Sequence, residues 1–170
     1  PTLRAARFST TGTPLDVSPL VISSTLSVPN PTIRVASNGT DFALAWQAGA
    51  AVSARRVSGA GQLLDAAPIP VNGVTNLGDL ASDGSGYVLV ARELAVVRLS
   101  SSGTVLDATP KNLYAASAGT PKERPSVDFN GTHFVVAWEQ VLPGGADSDI
   151  YAARFDTNGT IIDSSPVPIS

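Results

Sequence analysis

The sequence predicts an all-β protein, and three observations carry that prediction. The first is a frame that occurs four times with no residue gained or lost: Arg, four residues, Gly, three residues, Asp, two residues, Pro. It runs from Arg7 to Pro19, Arg56 to Pro68, Arg98 to Pro110 and Arg154 to Pro166. The second is another ungapped repeat, IRVASNGTDFALAWQ from Ile33, GDLASDGSGYVLVARE from Gly78 and PSVDFNGTHFVVAWEQ from Pro125. The third is patterning. Gly and Pro punctuate the chain too often for helices of ordinary length, and no window keeps a helical period.

The frame reads as a hairpin. In its last copy, Asn158-Gly159 stands between two apolar runs, the strongest short-range hairpin signal, because a two-residue turn of this kind needs positive φ at both central positions. That register sets Thr157 opposite Thr160, Phe155 opposite Ile162 and Arg154 opposite Asp163. The other copies carry Thr11-Gly12, Ala60-Gly61 and Ser102-Gly103. For these, a type I turn closed by a Gly bulge is the alternative, which shifts the pairing by one residue and would put Arg and Asp on opposite faces. Four identical spacings favour the direct pairing. The repeated Arg and Asp then read as a half-exposed ion pair that fixes register, in preference to a binding site built four times.

The second repeat is also a hairpin, turning at Asn38-Gly39, Asp83-Gly84 and Asn130-Gly131. A two-residue turn pairs Val35 with Phe42, Leu80 with Tyr87 and Val127 with Phe134. Joined to the frame, it makes a unit of four strands, A to D. The B strands Phe42 to Trp46 and Phe134 to Trp138 are apolar on both faces, so each sheet must be covered on both sides. Four-stranded sheets stacked face to face around an axis meet that demand, and the frame returns at steps of 49, 42 and 56 residues, near the blade period of a β-propeller. A β-sandwich is the structural rival.

The expected organisation is a single partial propeller domain over 1–170 with a half blade at 1–22 and full blades at 31–72, 77–115 and 124–170. Connectors rich in Ser, Pro and Gly lie at 23–30 and 115–123. Three and a half blades leave unpaired edges. The missing strands are expected to precede Pro1 in a longer protein; the alternative is that further chains complete a ring or stack into an array.

The VAW or LAW strand end, the YAARF strand and the G-x-x-x-D turn together resemble the blade repeats of large bacterial secreted or surface-anchored β-propeller proteins, of the lipoprotein and adhesin-like kind. The resemblance covers essentially the whole chain. It implies a non-enzymatic extracellular binding or adhesion module. The sequence lacks the Gly-His and Trp-Asp signatures of WD40 repeats and the Ser-x-Asp-x-Gly turn of Asp-box repeats.

Composition narrows the partners. Net charge is -3 and 15% of residues are charged, so no basic field exists to hold a phosphate backbone, and nucleic acid is not an expected partner. No apolar run has the length of a membrane helix. The absence of Cys removes disulfides and thiolate chemistry, and the wealth of Ser, Thr, Gly, Ala and Asn leans towards the extracellular space or cell surface.

In a four-stranded blade the B to C and D to A connections share one end, the usual ligand end. Candidate segments there are Gln47 to Ala51, Arg92-Glu93, Lys122-Glu123-Arg124 and the long loop Glu139 to Asp149. The expected ligand-binding residues are Glu139, Gln140, Asp147 and Asp149, supported by Arg124, with carbohydrate the first ligand class and self-association through the half blade the second kind of partner. Glu139, Asp147 and Asp149 offer oxygen atoms, but their spacing matches no EF-hand, and neither a metal nor a cofactor is expected. His133, the sole histidine, is expected beside a turn and opposite Asp128, which leaves an imidazole-based mechanism little to build on. No catalytic residue is therefore named; a fragment of a propeller hydrolase or lyase is the enzymatic alternative. Trp46 and Trp138 are expected to pack between blades rather than stack on a sugar. The Asn-Gly-Thr triplets at Asn38, Asn130 and Asn158 are formal glycosylation acceptors, read here as turns.

Overall fold

In the computed structural model, which describes residues 1–26, 28–114, 120–145 and 147–170, the chain forms three four-stranded antiparallel sheets and one two-stranded sheet. The two-stranded sheet joins β1 (Leu3–Ala5) to β2 (Leu20–Ser23). The first full sheet runs β3 (Thr32–Ser37), β4 (Asp41–Ala48), β5 (Ala51–Ser58), β6 (Ile69–Val71). The second runs β7 (Leu77–Ser82), β8 (Gly86–Ala91), β9 (Ala95–Ser100), β10 (Lys111–Asn112). The third runs β11 (Lys122–Phe129), β12 (Phe134–Val141), β13 (Ser148–Phe155), β14 (Val167–Pro168). This is the all-β, blade-like architecture that the repeats predict, and β1 and β2 stand where strands C and D of a preceding blade would be. Lys122 and Glu123, expected in a connector, open β11; residues 115–119 of that connector, Ser27 and Ala146 lie outside the described residues.

The A to B turns differ from expectation by two residues. Ser37 pairs with Phe42, Ser82 with Tyr87 and Phe129 with Phe134, so Val35 faces Leu44, Leu80 faces Leu89 and Val127 faces Val136. The cause is the first turn side chain. Asn38 Oδ1 accepts hydrogen bonds from the main-chain N–H groups of Thr40 and Asp41, and Asp83 Oδ1 and Asn130 Oδ1 do the same for the residues two and three further on. The loop thereby holds four residues rather than two. A shift of two keeps every side chain on its expected face, because strand side chains alternate with period two. His133 consequently sits in the loop, and it is Val135, not His133, that pairs with Asp128.

The C to D turns are the bulged alternative in all four copies. The Gly N–H donates to the carbonyl three residues back, as in Gly61 to Ser58 at 2.8 Å, with positive φ at Gly12, Gly61, Gly103 and Gly159. The isolated pairings Phe8 with Pro14, Val57 with Leu63, Leu99 with Val105 and Phe155 with Ile161 are one residue off the direct register. Arg and Asp nevertheless meet in every copy, contrary to the separation that a bulge implies. The ladder stops just before the Asp, so no facing strand fixes its side. Its carboxylate folds back and takes the Arg main-chain N–H, at 2.7 Å for Asp65 and Arg56, in place of a strand carbonyl. The same carboxylate receives the guanidinium, with Nη2 to Oδ1 distances of 2.6–2.8 Å in the four pairs. Strand D starts only after the Pro of the frame.

The Arg of each of the first three frames also reaches the next sheet. Arg7 Nη1 donates to Gly59 O at 2.5 Å, Arg56 Nη1 to Ser101 O, and Arg98 Nη1 to Thr157 O at 3.5 Å. Each acceptor lies two residues before the frame Gly of the following sheet. A Cβ at Gly61 would come within 2.5 Å of the Arg7 guanidinium carbon, and one at Gly103 within 2.8 Å of Arg56 Nη2. The frame is therefore a joint: Asp aims the Arg, and the next Gly admits it. Arg56, clasped on both sides, has a side chain 9% exposed, whereas Arg154 of the last sheet is 51% exposed.

Three apolar layers lie between successive sheets. Leu3 and Ile22 meet Leu44, Trp46 and Val57. Ala43, Ala45, Val52 and Ala54 meet Leu80, Tyr87, Leu89 and Leu99. Val88, Val90 and Val96 meet Phe134, Val136, Trp138 and Phe155. Trp138 packs against Tyr114 and Tyr151, with ring centroids 6.0 and 6.1 Å away. The two tryptophans are core residues, Trp46 in the first layer and Trp138 in the third.

Candidate ligand cleft

The A strands β3, β7 and β11 lie side by side. Gly78 lets them approach, since a Cβ there would fall 2.5 Å from Pro125 Cγ. Above their first residues, at the end of the B to C and D to A connections, opens a cleft of about 700 Å³ bordered by Arg34, Asn76, Asp79, Arg92, Glu123 and Arg124.

Two sets of equivalent positions build it. Arg34, Asp79 and Ser126 occupy one place on the three A strands. Arg34 Nε donates to Gly78 O at 2.5 Å and lies 3.6 Å from Asp79 Oδ1. Asp79 Oδ2 in turn accepts from Ser126 Oγ at 2.8 Å and Val127 N at 3.1 Å. Gln47, Arg92 and Glu139 occupy one place at the ends of the B strands. Gln47 Oε1 accepts from Leu77 N at 2.7 Å, and Arg92 Nη2 meets Glu123 Oε1 at 2.6 Å. Both reach forward to the next A strand. Glu139 turns instead to its own sheet, pairing with the guanidinium of Arg124 and accepting from Ser148 Oγ at 2.9 Å.

The backbone around the cleft is unusual. Asn30, Asn76 and Arg124 on its border have φ of 56°, 56° and 48°, and Glu93 beside Arg92 has 60°. Positive φ outside Gly is costly for an L-residue and clusters at sites of function. Arg124 takes this conformation at a bulge in β11, where the register slips between Glu123 and Ser126 and Pro125 is accommodated. Arg92 Nε is buried with no hydrogen-bond partner among the described residues. Lys122 is buried beside these groups, its Nζ 4.0 Å from Glu93 Oε2.

A search of known proteins adds the fold and nothing finer. A crystal structure of a protein from Lactobacillus plantarum matches with a TM-score of 0.59 and 14% identity, covering 98% of this chain and 51% of that one. The likeness shows the fold alone. This chain spans about half the length of that structure. Neither a family model nor a curated protein matches the sequence.

Of the five expected site residues, only Arg124 borders the cleft. Glu139 is joined to it through their ion pair. Gln140 and Asp149 pair across β12 and β13, and Gln140 Oε1 lies 3.5 Å from Trp138 Nε1. Asp147 closes its own loop, with Oδ1 accepting from Ser148 N and its carbonyl from Leu142 N. Among the described residues no three of His, Cys, Asp and Glu gather to hold a metal ion. Asn76, Arg34 and Asp79 were missed; the signal for the last two was present, since the ungapped repeat places a charged side chain at the same A-strand position in two copies of three.

Proposed function

We propose that the chain is a non-enzymatic binding module of an extracellular or cell-surface protein, and that the cleft takes a polar, negatively charged small ligand, an acidic carbohydrate first among them. One observation carries this reading: three guanidinium groups, from Arg34, Arg92 and Arg124, border a single cleft. Guanidinium forks match carboxylate oxygens in pairs, and each Arg keeps donors beyond those its protein partners use. Arg124 has a side chain 81% exposed, and Arg34 and Arg92 are each 41% exposed. With both Trp rings buried, recognition of a sugar would rest on hydrogen bonds and charge rather than on stacking.

Titration calorimetry with an oligoglucuronate and its neutral glucose counterpart tests the reading. The acidic oligomer is expected to bind, the neutral one to bind about tenfold more weakly or not at all, and Arg124→Ala to weaken the acidic one by about tenfold. Equal binding of the two oligomers, or binding of neither, would overturn it.

A further inference from the structure

Four Asn-Gly pairs stand in loops of this chain, at Asn38, Asn72, Asn130 and Asn158. Gly places no side chain beside its own main-chain nitrogen, so each pair is open to one reaction, attack of that nitrogen on the Asn side-chain carbonyl. The structure separates the four by what already holds the two reacting groups. Asn38 Oδ1 accepts from Thr40 N and Asp41 N at 3.0 and 2.8 Å, and Gly39 N–H donates to Ser37 Oγ at 3.1 Å. Asn130 Oδ1 accepts from Thr132 N and His133 N at 2.9 and 2.8 Å. Gly159 N–H donates to Asp156 O at 2.9 Å, and the Asn158 carbonyl accepts from Lys111 Nζ. Asn72-Gly73 differs. It lies in the D to A connection between β6 and β7, and both residues are exposed. Among the described residues no hydrogen bond holds the Asn72 side chain or the Gly73 N–H.

We propose that Asn72 is a modification site of this chain, converting without an enzyme to aspartyl and isoaspartyl forms. Hydroxide takes the Gly73 amide proton, and the nitrogen lone pair attacks Asn72 Cγ, a step made effectively unimolecular by the adjacency of the two groups. The new C–N bond closes a succinimide ring as the Cγ–Nδ2 bond breaks, and the amide nitrogen leaves as ammonia after taking a proton from water. Water then opens the ring at either carbonyl. Opening at Cγ gives Asp, and opening at the main-chain carbonyl gives isoaspartate; the balance is Asn plus water to the acid plus ammonia, with no oxidation or reduction. The product alters a connection that the fold pins at both ends. Val71 pairs with Val52, Asn76 O accepts from Arg92 N at 3.0 Å, and Leu77 N donates to Gln47 Oε1 at 2.7 Å. Between them Gly73 packs closely, since a Cβ there would fall 2.8 Å from Pro110 Cδ. The isoaspartyl form threads one extra methylene into this span, which ends at Asn76 on the border of the cleft. The inference rests on the cleft's place in the fold and not on what it binds.

The test ages the whole chain in mildly alkaline buffer, folded and in parallel in concentrated urea, and reads the products by peptide mass spectrometry. Cleavage after Lys and Arg, except before Pro, puts the four pairs in separate peptides, 35–55, 57–92, 123–154 and 155–170. In the folded chain the peptide 57–92 is expected to exchange its amide for a carboxyl about tenfold faster than the other three. That factor corresponds to about 1.4 kcal/mol, the scale of the hydrogen bonds the others must give up before attack. In urea the four rates are expected to converge. Asn72→Gln, whose longer side chain closes a larger and slower ring, is expected to abolish the product in that peptide. A faster pair elsewhere in the folded chain, rate ratios unchanged by urea, or product persisting in Asn72→Gln would overturn the site. In the separated isoaspartyl form, hydrogen exchange at the Arg92 amide is expected to quicken; an unaltered Arg92 amide would overturn the coupling to the cleft border.

Discussion

A single carboxylate does two things in each frame, ending a strand ladder and aiming a guanidinium, and in the first three frames that guanidinium reaches the next sheet. Asp107 shows the balance. Burial pushes its carboxyl up, but hydrogen bonds from the Arg98 side chain and main-chain N–H outweigh this and hold it below the usual carboxylate range. Asp16 and Asp163 are likewise held low, first by the guanidinium and then by the main-chain N–H of their Arg partners. A folded-state pKa below the unfolded value means stability that is fully present above the unfolded carboxylate pKa of about 4 and is lost as pH falls through the folded one. Urea midpoints measured from pH 5 to pH 2 should therefore decline, and Asp107→Asn should start lower at pH 5 and decline less steeply. The spacing of Arg and Asp made this partnership legible in the sequence. What the Arg does with its remaining donors was not legible, because the accepting carbonyl belongs to the following sheet, dozens of residues away, and any residue type supplies a carbonyl.

Among elements, the turns decide registers, and they divide by how much their side chains contribute. The A to B turns were readable as turns from Asn-Gly and Asp-Gly, yet their length was set by a side-chain oxygen binding two N–H groups, which the dipeptide rule does not weigh. The error was two residues, so the core faces came out correctly and only the pairs moved. In the C to D turns the Gly serves both conformation and packing, and two positions separate these roles. Gly12 and Gly103 have φ of 80° and 89°, but a Cβ at Gly12 meets nothing within 4 Å, whereas one at Gly103 meets Arg56 Nη2 and Asp65 Oδ1 at 2.8 Å. Gly12→Ala should cost about 1 kcal/mol, the strain of positive φ alone. Gly103→Ala should cost more, by about 1–2 kcal/mol, because it also pushes the Arg56 clasp apart. Urea unfolding of the two variants side by side makes the comparison; equal losses would mean that the close approach is unimportant.

Across the whole molecule, order should follow coverage. The β4 and β8 strands have paired neighbours on both edges and apolar layers on both faces, while β1 has one neighbour and one covered face. Native-state hydrogen exchange should find β1 and β2 amides exchanging through local opening, well before those of Ala43–Trp46 and Tyr87–Ala91. The blades were visible in the sequence because each repeat carries its own hydrophobic pattern. The cleft was visible only in part, because it is assembled from the first residues of three A strands whose polar side chains differ in every copy, and no single stretch announces it. The frame joint has one more consequence. Because the Arg of one sheet fits the Gly turn of the next through the same bonds each time, the surface that ends one repeat is the surface that begins another. Nothing in such a unit counts its neighbours. A gene that duplicated or lost a whole repeat would inherit a working seam at the new junction, so the number of repeats is free to drift while the chemistry between them stays constant.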